Sequence, residues 1–301
     1  MSASPRVAAV FFGRPGAGGF NQAGVAGLAR AAASHGLSPE TVWEPEPARR
    51  AETLAAVAAR ADLVIAHGGQ GEAGVAEVAP GFPRVAFAVT QGRIAGPNIA
   101  CFEVLQEQSA FLAGALAGWW MPGRIAAHLS GEPVPPGLRG RAGFAAGLRH
   151  ARPDAQLLTG FCGNQHDPPL AEAWTRAQAA AGAAVQFAML DGGRSGAIAA
   201  CKETGMRAIG NVRDWTEEDP VFLASAIAEN GVTIEAAIAA FLAGRFADAR
   251  IGLERPEAVR LALAREVSPA LAERLEALRS EIIAGAVVVP EHYGGAEWRP
   301  E

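Results

Sequence analysis

The chain has 301 residues, half of them hydrophobic and 19% charged, with a formal net charge of −5. That length suits two domains of ~150 residues, and the composition supplies ample core and excludes general disorder. With no basic excess, there is nothing to draw in nucleic-acid phosphates. Arginine makes up the basic side except for Lys202. A phosphate-gripping or Schiff-base lysine would have to be that residue. Cys101, Cys162 and Cys201 are too few and too scattered for a disulfide framework or a zinc site. No uncharged apolar run reaches the ~18 residues of a membrane span. The N-terminal apolar run, 7–12, is too short for a signal-peptide core, and no lipobox cysteine follows it. The sequence therefore predicts either a cytoplasmic location or an export signal already removed.

Strands and helices alternate along the chain. Residues 7–12 read as a strand, 22–35 as a helix stopped by Gly36, 42–43 as the start of a strand, 48–60 as a helix and 63–66 as a buried strand. Strands at 85–89 and 99–102 precede a long apolar helix, 106–121, stopped by Pro122-Gly123. The pattern then restarts with strands at 125–129, 156–161, 185–190 and 207–210 and helices at 139–149, 170–181 and 195–204. Helices at 233–243 and 269–284, a last strand at 287–289 and an irregular tail, 290–301, complete the reading. Such alternation predicts parallel βαβ units with helices on both faces of each sheet. The expected architecture is α/β with two lobes, 1–122 and 123–225, and a shared, hinge-crossing segment, 226–301. Breaks in the pattern at 122–124 and 224–228 mark the expected hinges.

In open parallel sheets, ligands bind at the carboxyl ends of the strands. Here those ends are rich in Gly, Asn, Gln and Asp, the signature of a ligand cleft between lobes. The residues expected to line it are Phe20, Asn21, Gln70, Glu103, Asn164, Asp191, Gly192, Asn211, Asp214 and Trp215. Asp214 could accept two hydroxyl hydrogen bonds from a sugar, and Trp215 could stack on a flat ligand. The alternative is an Arg213–Asp214 surface pair beside a half-buried tryptophan.

The loop from Gly13 to Gln22 fails the two nucleotide-binding patterns. Gly18 is followed by Gly-Phe and not by Lys-Ser/Thr, and Asn21 stands where the third dinucleotide glycine belongs. It reads either as a turn with Asn21 capping a helix, or as a ligand loop with Phe20 for stacking and Asn21 or Gln22 for hydrogen bonds. The histidines lack metal-site spacing; His67 and His166 lie in strand-end loops and could donate to a ligand. No metal and no cofactor is implied. Cys162, His166 and Asp167 are close in sequence, but a triad is assembled from separate elements. Asp167-Pro168 reads as a helix start, and Trp119-Trp120 as packing.

Several stretches together resemble the basic membrane protein family, the purine-nucleoside-receptor type of ABC-transporter substrate-binding protein. They are Phe20-Asn21-Gln22; Asn98-Ile99-Ala100; the run from Gln108 to Gly118; Ala142-Gly143-Phe144-Ala145-Ala146-Gly147; Asp167-Pro168; Ala181-Gly182-Ala183; Lys202-Glu203-Thr204-Gly205; Ala208-Ile209-Gly210; and the run from Ile283 to Pro290. The resemblance implies a type I periplasmic-binding-protein fold, a periplasmic or lipid-anchored location, a small-molecule ligand and an ABC-transporter permease as partner. It assigns Phe20 and Asn21 to the first-lobe ligand loop, Asp214 to the carboxylate that holds ribose hydroxyls, and Gly192-Gly193 to the glycine loop beside it. The family's base-reading Asn-Asp pair falls on Gly16 and Ala17, and its second-lobe aromatic on Gln165 or His166. The leading expectation is a non-enzymatic binder of a small polar or nucleoside-like molecule. A cytoplasmic ligand sensor of the same fold is one alternative. A hydrolase or lyase using Asp167, Asp191 or Asp214 is the other.

Overall fold

The first apolar run forms β1 (Val7–Phe11) in the computed structural model, which describes residues 4–13, 15 and 19–300. It is followed by α1 (Gly19–His35), β2 (Glu40–Trp43), α2 (Arg50–Ala58), β3 (Leu63–His67), α3 (Glu72–Val78), β4 (Ala86–Thr90), β5 (Ile99–Val104) and α4 (Gln106–Trp120). Next come β6 (Ile125–Ser130), α5 (Pro135–Ala151), β7 (Gln156–Phe161), α6 (Pro168–Ala180), β8 (Val185–Met189), α7 (Arg194–Thr204) and β9 (Arg207–Val212). The chain ends with β10 (Phe222–Ala228), α8 (Gly231–Leu242), β11 (Ala249–Ile251), β12 (Val259–Leu263) and α9 (Pro269–Ile283). It divides into two units, Met1–Val104 with Glu229–Ile251, and Leu105–Ala228 with Gly252–Glu301.

The first unit holds a fully parallel sheet of order β11-β5-β4-β3-β1-β2. Its strands are apolar throughout because both faces are covered. Ala8, Val10 and Phe12 pack with Leu54 and Val57 of α2 and Val75 of α3. The alternate residues Val7, Ala9 and Phe11 pack with Leu28 of α1 and Ile234 and Ile238 of α8.

The second unit holds a sheet of order β12-β10-β9-β8-β6-β7, in which β12 alone among the described strands runs antiparallel. Its helices α4 and α5 meet backbone to backbone. A Cβ at Gly114, Gly143 or Gly147 would overlap the carbonyl of Phe144, Glu107 or Phe111 respectively. This seam ties α4 to the second unit, so the chain divides after Val104, ahead of the expected 122. The edge strand β7 is covered by the tail. Trp298 donates its backbone N–H to the Thr159 carbonyl at 2.7 Å and packs edge-on to Trp174. Tyr293 lies over the guanidinium of buried Arg141, which pairs with Glu297 at 2.8 Å.

Several expectations are corrected. Residues 224–228, read as a break, lie inside β10, a wholly buried strand paired on both sides. The elements α3, β11 and β12 were not foreseen, being short or carrying charged residues. Residues 287–289 form no strand: they follow the end of α9 with no sheet edge to join, and Val288 is 81% exposed. Asn21 is not a helix cap, because α1 already begins at Gly19.

Candidate functional site

In each sheet the strand order reverses beside one strand, β1 between β2 and β3, and β6 between β7 and β8. Loops leaving the carboxyl ends on either side of such a reversal diverge and open a crevice, the usual ligand position in open α/β sheets. All ten expected residues close or follow parallel strands at this end.

In the first unit the Phe20 ring stacks on His67 at 4.2 Å between centroids, and the Phe20 carbonyl lies 3.2 Å from His67 Nε2. The Gly68 N–H donates to Thr90 Oγ1, whose own hydrogen is thereby directed to His67 Nδ1, both at 2.9 Å. Nε2 then carries the imidazole hydrogen and donates it to Phe20. His67 is wholly buried, and burial pulls its pKa down to about 4, so the ring is neutral. Both nitrogens are used inside the unit, which removes His67 as a ligand donor. The Asn21 amide lies over Gly13, and the exposed Gln70 folds its amide over Gly68 toward Phe20. Glu103 is not open to a ligand: it is 4% exposed and pairs with Arg93 at 2.9 Å and Arg250 at 3.5 Å. Gly16 and Ala17 lie outside the described residues. Gln91, which sequence reasoning missed, directly follows β4 with φ +55; it is buried and donates to Asn230 Oδ1 at 2.5 Å. Nothing in the sequence signals a glutamine in that conformation.

In the second unit, the loops after β7 and β8 are knitted together. Asp191 and Gly193 both donate backbone N–H to the Gln165 carbonyl, at 3.2 and 3.0 Å, and the Gly192 N–H points to His166 Nδ1 at 3.4 Å. Asn164 spends its Oδ1 on the His166 N–H at 2.7 Å, shaping its own turn. Asp167 caps α6 by accepting the Leu170 N–H at 3.0 Å, with Pro168 in the first turn, as the sequence predicted. Burial raises the Cys162 pKa, so the thiol stays protonated and is no activated nucleophile. The Asp191 carboxylate makes no hydrogen bond to the described residues.

Asp214 accepts the Thr216 N–H at 2.9 Å and its hydroxyl at 2.7 Å, both on Oδ1, leaving Oδ2 unbonded. Arg213 pairs with Glu218 and not with Asp214. Trp215 is no open stacking platform. Arg213 and Arg194 lie 3.8 and 4.2 Å over its ring, and its indole N–H donates to the Asn211 carbonyl at 2.9 Å. Arg194, also missed, donates Nη2 to the Leu190 carbonyl and to Asn211 Oδ1. Its position directly after the paired glycines of a strand-end loop was the available signal. Among the described residues no cluster of His, Cys, Asp and Glu could hold a metal ion, and no helix is long and apolar enough to cross a membrane.

Two units, each a six-stranded and mostly parallel sheet flanked by helices, with polar loops at the strand carboxyl ends, define the type I periplasmic-binding-protein architecture. Solved structures agree. A solute-binding protein of an ABC transporter system from Aeropyrum pernix K1 superposes with TM-score 0.81 at 20% identity, covering 96% of this chain and 95% of that one. One from Conexibacter woesei DSM 14684 gives 0.75 at 22% identity, over 96% and 99%. A transcriptional activator of the comK gene from Bacillus halodurans gives 0.79 at 17% identity, over 93% and 99%. No curated protein matches in sequence. Residues 5–292 match the Bmp family model, described as PnrA-like ABC transporter substrate-binding proteins, and the chain belongs to that family.

Proposed function

We propose that the chain is a non-enzymatic binding component of an ABC transporter whose ligand is a small, hydroxyl-rich, nucleoside-like molecule. The observation that carries this reading is a pair of half-exposed carboxylates with oxygens bonded to no group of the protein at the ends of neighbouring strands, Asp191 after β8 and Oδ2 of Asp214 after β9. Ionised carboxylates with open oxygens suit hydroxyl donors. The Phe20 face and the Asn21 and Gln70 amides offer a stacking surface and base-edge partners in the first unit. The Bmp family match supports the transport role and a permease as partner.

Mass spectrometry of what denaturation releases from the purified protein tests the reading. The expected result is one polyhydroxylated solute, which the folded protein rebinds and returns unchanged. Chemical turnover of that solute, or no binding across a panel of nucleosides and sugars, would overturn it. A ligand sensor acting on a regulatory partner is a second reading, favoured by the fold shared with the Bacillus halodurans activator. Loss of solute uptake on deletion of the gene separates transport from sensing.

A further inference from the structure

We propose that Arg194 is an anion receptor, so that the solute bound at the carboxyl end of the second sheet carries a carboxylate or phosphate group. The inference rests on the binding reading above and adds the charge of the ligand.

Arg194 is the first residue of α7, directly after the Asp191-Gly192-Gly193 loop that leaves β8. That loop borders the point where the strand order of the second sheet reverses. A cation in the first turn of a helix opposes the helix dipole, so this placement stabilises neither the helix nor the charge.

Surroundings make the charge more conspicuous. Arg194 is 9% exposed, and no carboxylate among the described residues lies within 4.0 Å of its guanidinium. Its two acceptors, the Leu190 carbonyl and Asn211 Oδ1, are neutral and share Nη2. Nε is buried without a partner, and Nη1 has no acceptor among the described residues. A second guanidinium, Arg213, lies over the same Trp215 ring and repels it. Asp191 and Glu218 attract it from beyond ion-pair distance, and Glu218 is already engaged by Arg213. Burial pulls the Arg194 pKa down to about 10, so the guanidinium remains charged at neutral pH at a cost. Burying a charge is costly unless a counter-charge and hydrogen bonds offset it. The site is one anion short, with Nε buried without a partner and Nη1 bonded to no group of the protein. A carboxylate or phosphate oxygen supplies what is missing.

The competing account makes Arg194 a strut that orients Asn211 and Trp215, its charge offset by Asp191 alone. The test uses the full chain and simple anions. The Trp215 indole N–H resonance, assigned by its loss in Trp215→Phe, is followed while sodium phosphate or sodium acetate is added against sodium chloride of equal ionic strength. A saturable shift with phosphate or acetate, absent with chloride, is expected, and the anion that binds more tightly identifies the group. Arg194→Gln should weaken that binding at least about tenfold, and Arg194→Lys should retain part of it. No saturable response of the parent to either anion overturns the proposal, and that measurement requires no variant to fold. An unchanged affinity in Arg194→Gln overturns it as well and leaves the strut. If the co-purified solute proves uncharged, the binding reading stands and this inference falls. If the anions bind through Arg194 but no member of the nucleoside and sugar panel does, Arg194 stands as an anion site and the nucleoside-like reading fails.

Discussion

The Phe20 ring and the His67 imidazole lie 4.2 Å apart and within 18° of parallel, while the Phe20 carbonyl takes the hydrogen of His67 Nε2. The start of α1 is thus fastened to the end of β3 through a ring that must stay neutral. Burial lowers the His67 pKa to about 4, and that of His128 to about 3. Both titrate near 6.5 when unfolded. Their contribution is complete above pH ~6.5, and it declines as acid protonates the unfolded chain first, down to pH ~4 for His67 and ~3 for His128. Each histidine should cost up to roughly 1.4 kcal/mol per pH unit within its window. Urea unfolding between pH 7.5 and 4.5 measures the slope. Equal slopes in the parent and in the His67→Gln, His128→Gln double variant would refute the assignment.

Binding should separate Asp191 and Asp214 from their neighbour Arg213. Asp191→Ala and Asp214→Ala should each weaken the co-purified solute by tenfold to several-hundredfold, at roughly 1.5–3 kcal/mol per charged hydrogen bond. Asp214→Ala should also lose about 1 kcal/mol of stability, because its Oδ1 holds Thr216. Arg213→Ala should bind like the parent, since its partner is Glu218. Titration calorimetry distinguishes these outcomes. Parental affinity in both aspartate variants would remove them from the site.

The three thiols should be inert. Burial pushes Cys101 up to about 11 and Cys201 up to about 12, and raises Cys162 as well. An aromatic disulfide reagent at pH 8 should find no fast thiol in the folded protein and three in urea. Rapid labelling of native Cys162 would contradict this.

The seam between α4 and α5 should tolerate no side chain. Gly114→Ala and Gly147→Ala each press a methyl group into a facing carbonyl and should cost about 1–3 kcal/mol. Gly123→Ala meets nothing within 4 Å and should stay within about 0.5 kcal/mol of the parent. Comparable melting temperatures for all three would show that the helices can separate at no cost.

The tail should be part of the second unit's stability. Ending the chain at residue 290 removes Trp298 from β7 and Glu297 from Arg141, whose side chain is 8% exposed. The expected loss is roughly 2–4 kcal/mol, and the bared strand edge should promote self-association. Urea unfolding and light scattering read the two effects. A truncated chain that is monomeric and as stable as the parent would show the tail to be ornamental.

Much of the α/β pattern was legible because strands buried on both faces are written as short apolar runs, as at Val7–Phe11 and Leu63–His67. Phe222–Ala228 is equally apolar, yet it was misread because no helix joins it to β9; the 213–221 loop makes that connection. Strand-end loops were found from their composition. What composition could not show was which side chains are already spent. Glu103 and Trp215 look like ligand groups in sequence, but arginines distant in the chain or across the loop occupy them. Arg194 was missed for the converse reason. An arginine after a glycine pair is a weak signal on its own, and its burial is what makes it informative.

Each unit is stitched from stretches far apart in the chain, and this has a consequence for how the protein is made. The first five strands have been synthesised by residue 104, but α8 and β11 follow only at 231–251. Until then the sheet face bearing Phe11 and Ile65 lacks the cover that Ile234 and Ile238 provide. The second unit waits still longer, for α9 and the segment that crosses β7. The nascent chain therefore carries uncovered apolar surface through most of its synthesis, which favours aggregation over folding. Weakened packing of α8 will reduce the yield of folded protein in the cell before it is noticed in the purified molecule.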